Sequence, residues 1–186
     1  LLDVARQSGV RRVVFASSSS VYGDQPVSSK RESDLPSPIS PYAAAKAACE
    51  SFCQAFTATY GLETVILRYF NVFGPRQDPE SEYAAVIPKF VNAIMADKQP
   101  TIFGDGLQSR DFTFVFNVVA ANLAAADAEN AAGRVFNAAC GKQLTLLAVM
   151  DSINRILGKE IQPLFSDPRV GDVRESLADI TAAQKV

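Results

Sequence analysis

Apolar residues fall in blocks along this chain rather than in strict alternation. Residues 11–18 hold the run Val13, Val14, Phe15, Ala16, the pattern of a parallel strand covered on both faces. Residues 63–70 form a second, β-branched block of the same kind. Between them, 23–41 contains four prolines and several serines and reads as loop. Residues 41–60 predict a helix: Ser40 suits the N-cap, Pro41 the first helical position, and Gly61 follows the end. Residues 1–8 read as the last turns of another helix, stopped at Gly9. Helix, strand, helix, strand is the order of a parallel α/β sheet.

After Phe73 the character changes. The stretch GPRQDPESEY (74–83) is polar and turn-rich, so a boundary is expected here, dividing a sheet domain (1–72) from a smaller region (73–186). Downstream the pattern predicts a helix over 84–97, strands over 101–103 and 112–116, and an Ala-rich helix over 117–129. A strand over 134–138 and a helix over 145–157, stopped by Gly158, complete the pattern. There is no internal repeat.

Composition narrows the function classes. The chain has 186 residues, is 48% hydrophobic and carries a net charge of −2. That suits one sizeable domain or two small ones, and excludes a disordered tail or a basic nucleic-acid binder. No apolar run approaches the roughly 20 residues of a membrane span, and LLDVARQSGVRR has no signal-peptide pattern. Neither nucleic acid nor membrane is an expected partner. Three cysteines without histidine argue against a disulfide framework and a His-containing zinc site. Cys49 and Cys53, four apart, read as small buried helix residues rather than metal ligands, so no metal is expected. Free thiols fit a reducing cytoplasm.

The first strand ends in FASSSSVYG (15–23), four hydroxyls where a covered strand should stay apolar. Open α/β sheets bind ligands at the carboxyl ends of their strands, so this row stands at the mouth of an expected site. On the helix that follows, Tyr42 and Lys46 lie four apart and share a face. A free tyrosine has a pKa of about 10 and is a poor base, but a nearby ammonium favours the phenolate. A serine hydroxyl from the strand end would add to that effect. Tyr-x-x-x-Lys alone is also an ordinary solvated pair; with the serine row upstream it becomes far more specific.

With these motifs the sequence resembles the extended short-chain dehydrogenase/reductases, and within them the NAD-dependent nucleotide-sugar 4-epimerases. The matching stretches are FASSSSVYG (15–23), SPYAAAK (40–46), LRYFNVFGPRQDP (67–79), YAAVIPKF (83–90), IFGDGLQSRDFT (102–113) and RVGDVRESLADI (169–180). The resemblance implies the C-terminal part of a Rossmann-type doubly wound parallel sheet plus a smaller α/β substrate-binding region, whose segments return to the sheet. It implies NAD as cofactor and a UDP-sugar as substrate. Tyr42 would be the acid/base at the sugar 4-hydroxyl. Lys46 would hold the nicotinamide ribose, and Ser18 would be the catalytic hydroxyl. Ala16, Ser17 and Tyr69 would also contact NAD. The family reaction moves hydride from C4 to NAD, turns the 4-keto sugar over, and returns hydride to the opposite face.

Substrate contacts follow from the same resemblance. Ser19 and Asn71 would touch the sugar. Ala85, Val86, Thr101 and Phe103 would surround the uracil. Arg110 and Arg169 would grip the diphosphate, a task suited to fork-shaped donors, and Asp172 the ribose. Dehydratases carry an Asp-Glu pair where this chain has Ser19 and Ser20, which cannot act as carboxylic acids. Ser176 aligns with a gate beside the sugar, and a serine leaves room for a 2-acetamido group. The resemblance is therefore best to UDP-N-acetylglucosamine 4-epimerases, with UDP-glucose as a second substrate. UDP-glucuronate 4-epimerases, a dehydratase or reductase of the same superfamily, and a non-catalytic UDP-binding domain stay open as alternatives.

The family's G-x-G-x-x-G or G-x-x-G-x-x-G turn does not occur in these 186 residues. The chain is therefore expected to be a fragment lacking the first third of the enzyme and a short C-terminal piece. It is expected to bind NAD weakly, to be inactive alone and to self-associate along a bare sheet edge; the intact enzyme is expected to be a cytoplasmic homodimer. Phe116 stands where the family has Asp, leaving Asn117 to cap the next helix.

Overall fold

The computed structural model describes residues 1–25, 29–80, 86–168 and 173–186. Its elements run α1 (Leu2–Gln7), β1 (Arg12–Ser18), α2 (Pro41–Tyr60), β2 (Glu63–Tyr69), β3 (Val72–Phe73), α3 (Val86–Met95) and β4 (Thr101–Phe103). They continue with β5 (Ser109–Arg110), β6 (Thr113–Phe114), α4 (Val115–Asp127), β7 (Val135–Ala138), β8 (Leu144–Thr145), α5 (Leu146–Leu157), β9 (Leu164–Ser166) and β10 (Glu175–Ser176).

The two apolar blocks pair in parallel, from Arg12 opposite Glu63 to Ser18 opposite Tyr69. β7 adds to the far side of β2, also parallel, giving the order β1-β2-β7. Alternate residues of a strand face opposite sides of the sheet, and β2 uses both. Val65 and Leu67 pack with Ala125 of α4. Thr64 hydrogen-bonds the Cys53 carbonyl, and Arg68 bonds Glu50, both on α2. A helix on each face explains why residues on both sides of the strand are buried rather than alternate ones only. This is the α/β, parallel-sheet architecture that the spacing predicts.

α2 begins and ends where its punctuation residues stand. Ser40 Oγ accepts the Ala43 N–H at 3.2 Å, Pro41 opens the first turn, and Gly61 closes the helix at φ 69°. The second region has its own core: Phe90 and Ile94 of α3, Ile102 of β4, and Leu146, Val149, Met150 and Ile153 of α5. Small sheets tie this region together. β5 lies between β10 (parallel) and β8 (antiparallel), and β3-β6 and β4-β9 are parallel pairs.

Several expectations are corrected. The strand expected over 112–116 is only Thr113–Phe114, because its partner β3 is two residues long. Val115 and Phe116 are already helical, so α4 starts before Asn117. Asn117 does not cap it: the N-cap is Phe114, without a side-chain bond, and Asn117 Nδ2 instead donates to Cys140 Sγ at 3.7 Å. The helix expected over 84–97 is Val86–Met95 among the described residues, with Asp97 in a left-handed turn at φ 55°. Cys49 is exposed. Cys53 alone is buried, which pushes its thiol up to about 11. Among the described residues no helix is long and apolar enough to cross a membrane.

Candidate active site

The serine row has a structural explanation. β1 ends at Ser18, and its Oγ accepts the Ser20 N–H at 3.2 Å, opening a 3-10 turn over Ser19–Tyr22. Gly23 closes that turn at φ 65°, where a Cβ would meet the Ser37 carbonyl oxygen at 2.0 Å. The turn swings the chain out of the sheet and leaves Ser17, Ser18, Ser19 and Ser20 lining a cleft of about 730 Å³.

Tyr42 reaches the same cleft from the first turn of α2 and is 48% exposed, open to a ligand. One turn on, Lys46 Nζ donates to the Ala16 carbonyl at 2.7 Å. It lies 5.7 Å from the centre of the Tyr42 ring and 5.2 Å from that of Phe15. Ser18 and Tyr42 thus share one space, with the ammonium beside the phenol ring.

Of the other anticipated residues, Ser17, Ser19, Tyr69, Asn71, Arg110 and Ser176 also line this cleft. Asn71 has φ 33°, a left-handed conformation rare for a residue with a side chain, in the turn between β2 and β3. Its Nδ2 donates to the Asp111 carbonyl at 3.2 Å and lies 3.5 Å from Ser176 Oγ. Arg110 Nη1 donates to the Ser109 carbonyl at 2.9 Å.

Phe103 lines a second cleft of about 690 Å³ with Gly104, Gln108, Phe165 and Pro168, adjoining the first at Val173. Asp105 and Arg174 form a two-point ion pair there, at 2.8 and 2.9 Å. The guanidinium holds the Asp105 carboxyl down to about 2. Val86 packs instead against the core of the second region, and Thr101 is exposed on β4 beside Leu164. Neither lines either cleft. Ala85, Arg169 and Asp172 lie outside the described residues.

Sequence reasoning missed the polar framework behind the cleft. Glu50, one turn after Lys46, is buried; it accepts from Ser17 Oγ and from Arg68 Nη2 at 2.6 Å. Arg68 stacks 4.5 Å over the Tyr22 ring. Burial disfavours its charge most strongly, yet the hydrogen bond it donates to Glu50, together with its interactions with Tyr22 and the Glu50 charge, raises the guanidinium pKa overall. The Tyr22 hydroxyl donates to Asn137 Oδ1 at 2.6 Å, and burial pushes the phenol up to about 12. Asp111, fully buried, accepts the N–H groups of Cys140, Gly141 and Ala178 at 2.9 to 3.3 Å. Burial raises its pKa against those bonds. Gln77 lines the cleft with its Oε1 buried and unpartnered among the described residues. The available signal was a charge inside an apolar block, Arg68 in β2, and a second charge on the Tyr42–Lys46 face, Glu50.

The residues suit one end of a dinucleotide. Hydroxyls line the cleft where β1 and β2 open and the Lys46 ammonium stands beside the Tyr42 ring, donors that suit a nicotinamide ribose; no glycine-rich turn for a pyrophosphate is among these 186 residues.

Known proteins match this chain along its whole length. A UDP-N-acetylglucosamine 4-epimerase from Methanobrevibacter ruminantium M1, in complex with UDP-N-acetylmuramic acid, superposes with a TM-score of 0.96 at 45% identity; the match covers 100% of this chain and 59% of that one. A Bacillus cereus UDP-glucuronic acid 4-epimerase in complex with its substrate and NAD gives 0.90 at 32%, covering 100% and 58%. A UDP-glucose 4-epimerase of Mycolicibacterium smegmatis is 39% identical over 188 residues, covering 100% of this chain and 59% of its own length. The chain thus spans about three fifths of the length of these relatives. The model of the NAD dependent epimerase/dehydratase family, whose cofactor is NAD, matches residues 1–139. On that match, on the parallel sheet with Ser18 and Tyr42 at one cleft and on Lys46 beside the Tyr42 ring, the chain belongs to the NAD dependent epimerase/dehydratase family.

Proposed function

We propose that this chain carries the reaction and sugar-nucleotide part of a UDP-sugar 4-epimerase, acting on UDP-N-acetylglucosamine and UDP-N-acetylgalactosamine, with UDP-glucose as a second substrate. The observation that carries the reading is the single cleft joining Ser18, Tyr42, Asn71, Arg110 and Ser176. NAD, when bound, would supply a reversible two-electron acceptor. Tyr42 takes the proton of the 4-hydroxyl and returns it to the 4-keto sugar after the ring turns over. Ser18 hydrogen-bonds the same oxygen. Lys46 holds the nicotinamide ribose, and Ala16, Ser17 and Tyr69 complete that end. Arg110 and Arg169 neutralise the diphosphate, Asp172 holds the ribose, and Ala85 and Phe103 flank the uracil.

The acetamido preference draws support from two residues. Ser176 is small and adjoins Asn71. Gln77 offers a carbonyl oxygen lacking a donor among the described residues, and an acetamido N–H is such a donor. Ser19 and Ser20 supply no carboxylic acid, which disfavours elimination of water. We place the domain boundary near residue 72. The intact enzyme is read as a cytoplasmic homodimer through α2, whose Phe52 and Tyr60 are exposed.

The full-length protein, mixed with each UDP-sugar and followed by NMR of the products, tests this. Interconversion of the two N-acetylhexosamines is expected, and Tyr42→Phe should lower kcat by about 10²- to 10⁴-fold. Turnover confined to UDP-glucuronate would transfer the assignment to that rival. Because Asn71 and Arg110 both line the cleft, a non-catalytic UDP-binding role is the second reading; it predicts thermal stabilisation by UDP without turnover of any sugar.

A further inference from the structure

Tyr42, Lys46 and Glu50 follow one another at four-residue steps on one face of α2. Each meets the end of the sheet differently. Lys46 bonds the Ala16 carbonyl, Glu50 accepts from the Ser17 hydroxyl, and Tyr42 stands in the cleft with Ser18. Glu50 is held in turn by Arg68, whose Nε and Nη2 approach its two oxygens at 3.0 and 2.6 Å. Arg68 is the register partner of Ser17 on the neighbouring strand. Its guanidinium lies over Tyr22, in the turn that carries Ser19 and Ser20. Three residues further along the chain is Asn71. One ion pair therefore ties together α2, the end of β1, β2 and the turn that carries Ser19 and Ser20.

The pair is a poor way to gain stability. Both side chains are 5% exposed or less, and Arg68 Nη1 has no hydrogen-bond partner among the described residues. Burying two charges offsets most of their attraction, and apolar residues of similar size often serve as well. What the pair supplies is geometry. Leucine-like packing tolerates a helix sliding along a strand, whereas a two-point charged hydrogen bond fixes distance and direction.

We propose that Glu50 and Arg68, with Ser17, are positioning residues that lock the height of α2 against β1 and so set Tyr42 and Lys46 relative to Ser18. This role rests on the epimerase reading of the cleft. A displacement of about 1 Å in a reacting pair costs about 100-fold in rate, so the lock governs kcat rather than binding.

The test uses the full-length enzyme loaded with NAD and four variants: Glu50→Met with Arg68→Met, Glu50→Gln, Ser17→Ala, and Tyr42→Phe as control. Thermal midpoint, kcat and KM are measured for each. In parallel, 3-fluorotyrosine is incorporated and the Tyr42 fluorine resonance is assigned by its loss in Tyr42→Phe. The double variant should keep a midpoint within a few degrees of the parent, lose about 100-fold in kcat with KM within threefold, and show a shifted or broadened Tyr42 resonance. Glu50→Gln and Ser17→Ala, which each keep part of the network, should fall between. A double variant with parental kcat and an unmoved resonance overturns the proposal. If it does not fold, Glu50→Gln and Ser17→Ala decide by the same two readouts. A parent enzyme inactive on every UDP-sugar would sink the reading of the cleft instead, and the fluorine resonance would still report on the lock.

Discussion

Tyr22 has no exposed surface, and its hydroxyl is satisfied by Asn137 at 2.6 Å. Burial raises its pKa from the ordinary value near 10 to about 12, against the pull of Arg68. The folded state therefore keeps a proton that the unfolded chain releases. Stability falls as pH rises from 10 to 12, by about 1.4 kcal/mol per unit at most. Urea unfolding as a function of pH should show this slope, and Tyr22→Phe should flatten it. Asp111 contributes as a buried acceptor. Its two oxygens gather N–H groups from the segment after β7 and from Ala178, near Arg110 and Ser176. Asp111→Ala leaves those donors buried without an acceptor, at roughly 1–3 kcal/mol each. A loss of about 3 kcal/mol or more is expected in urea unfolding.

At the scale of elements, α2 is the piece whose placement decides the site. Its N-terminus carries Tyr42 one residue after Pro41, so the cap that starts the helix also fixes the phenol. Ser40→Ala removes the acceptor for the Ala43 N–H and should cost about 1 kcal/mol. A smaller change in denaturation midpoint than a few tenths of that value would show that the cap is replaced by water. α4 has no such cap, since Phe114 and Phe116 occupy the positions where a polar side chain would serve. Phe116 is 64% exposed and pairs with Phe114, ring centres 5.3 Å apart.

For the whole molecule, the sheet order β1-β2-β7 leaves β1 with one strand neighbour among the described residues. An unpaired edge of main-chain donors and acceptors is a template for association. The 186-residue chain purified alone is expected to bind NAD only weakly and to self-associate. Calorimetry and sedimentation check both; tight, stoichiometric NAD binding by a monomer would contradict the expectation. β7, far along the sequence, pairs with β2, whereas the core of α3, β4 and α5 packs separately.

The sequence by itself determined the parallel α/β class, the span of α2 with its cap and stop, and the Tyr42–Lys46 face beside a serine row. These depend on contacts within about one helical turn or on the apolar character of a block, both of which are local and readable. Tertiary structure alone decided that Ser176 adjoins Asn71 across 105 positions. It also decided that Glu50 is sunk against Arg68 and that Asp111 binds backbone donors up to 67 residues away. Strands of two residues, such as β3 and β6, were equally illegible, because no periodicity can be read in so short a run. The physical reason is common to all of these. A buried polar group is stable only where its partner arrives, and which partner arrives is set by the packing of the whole chain.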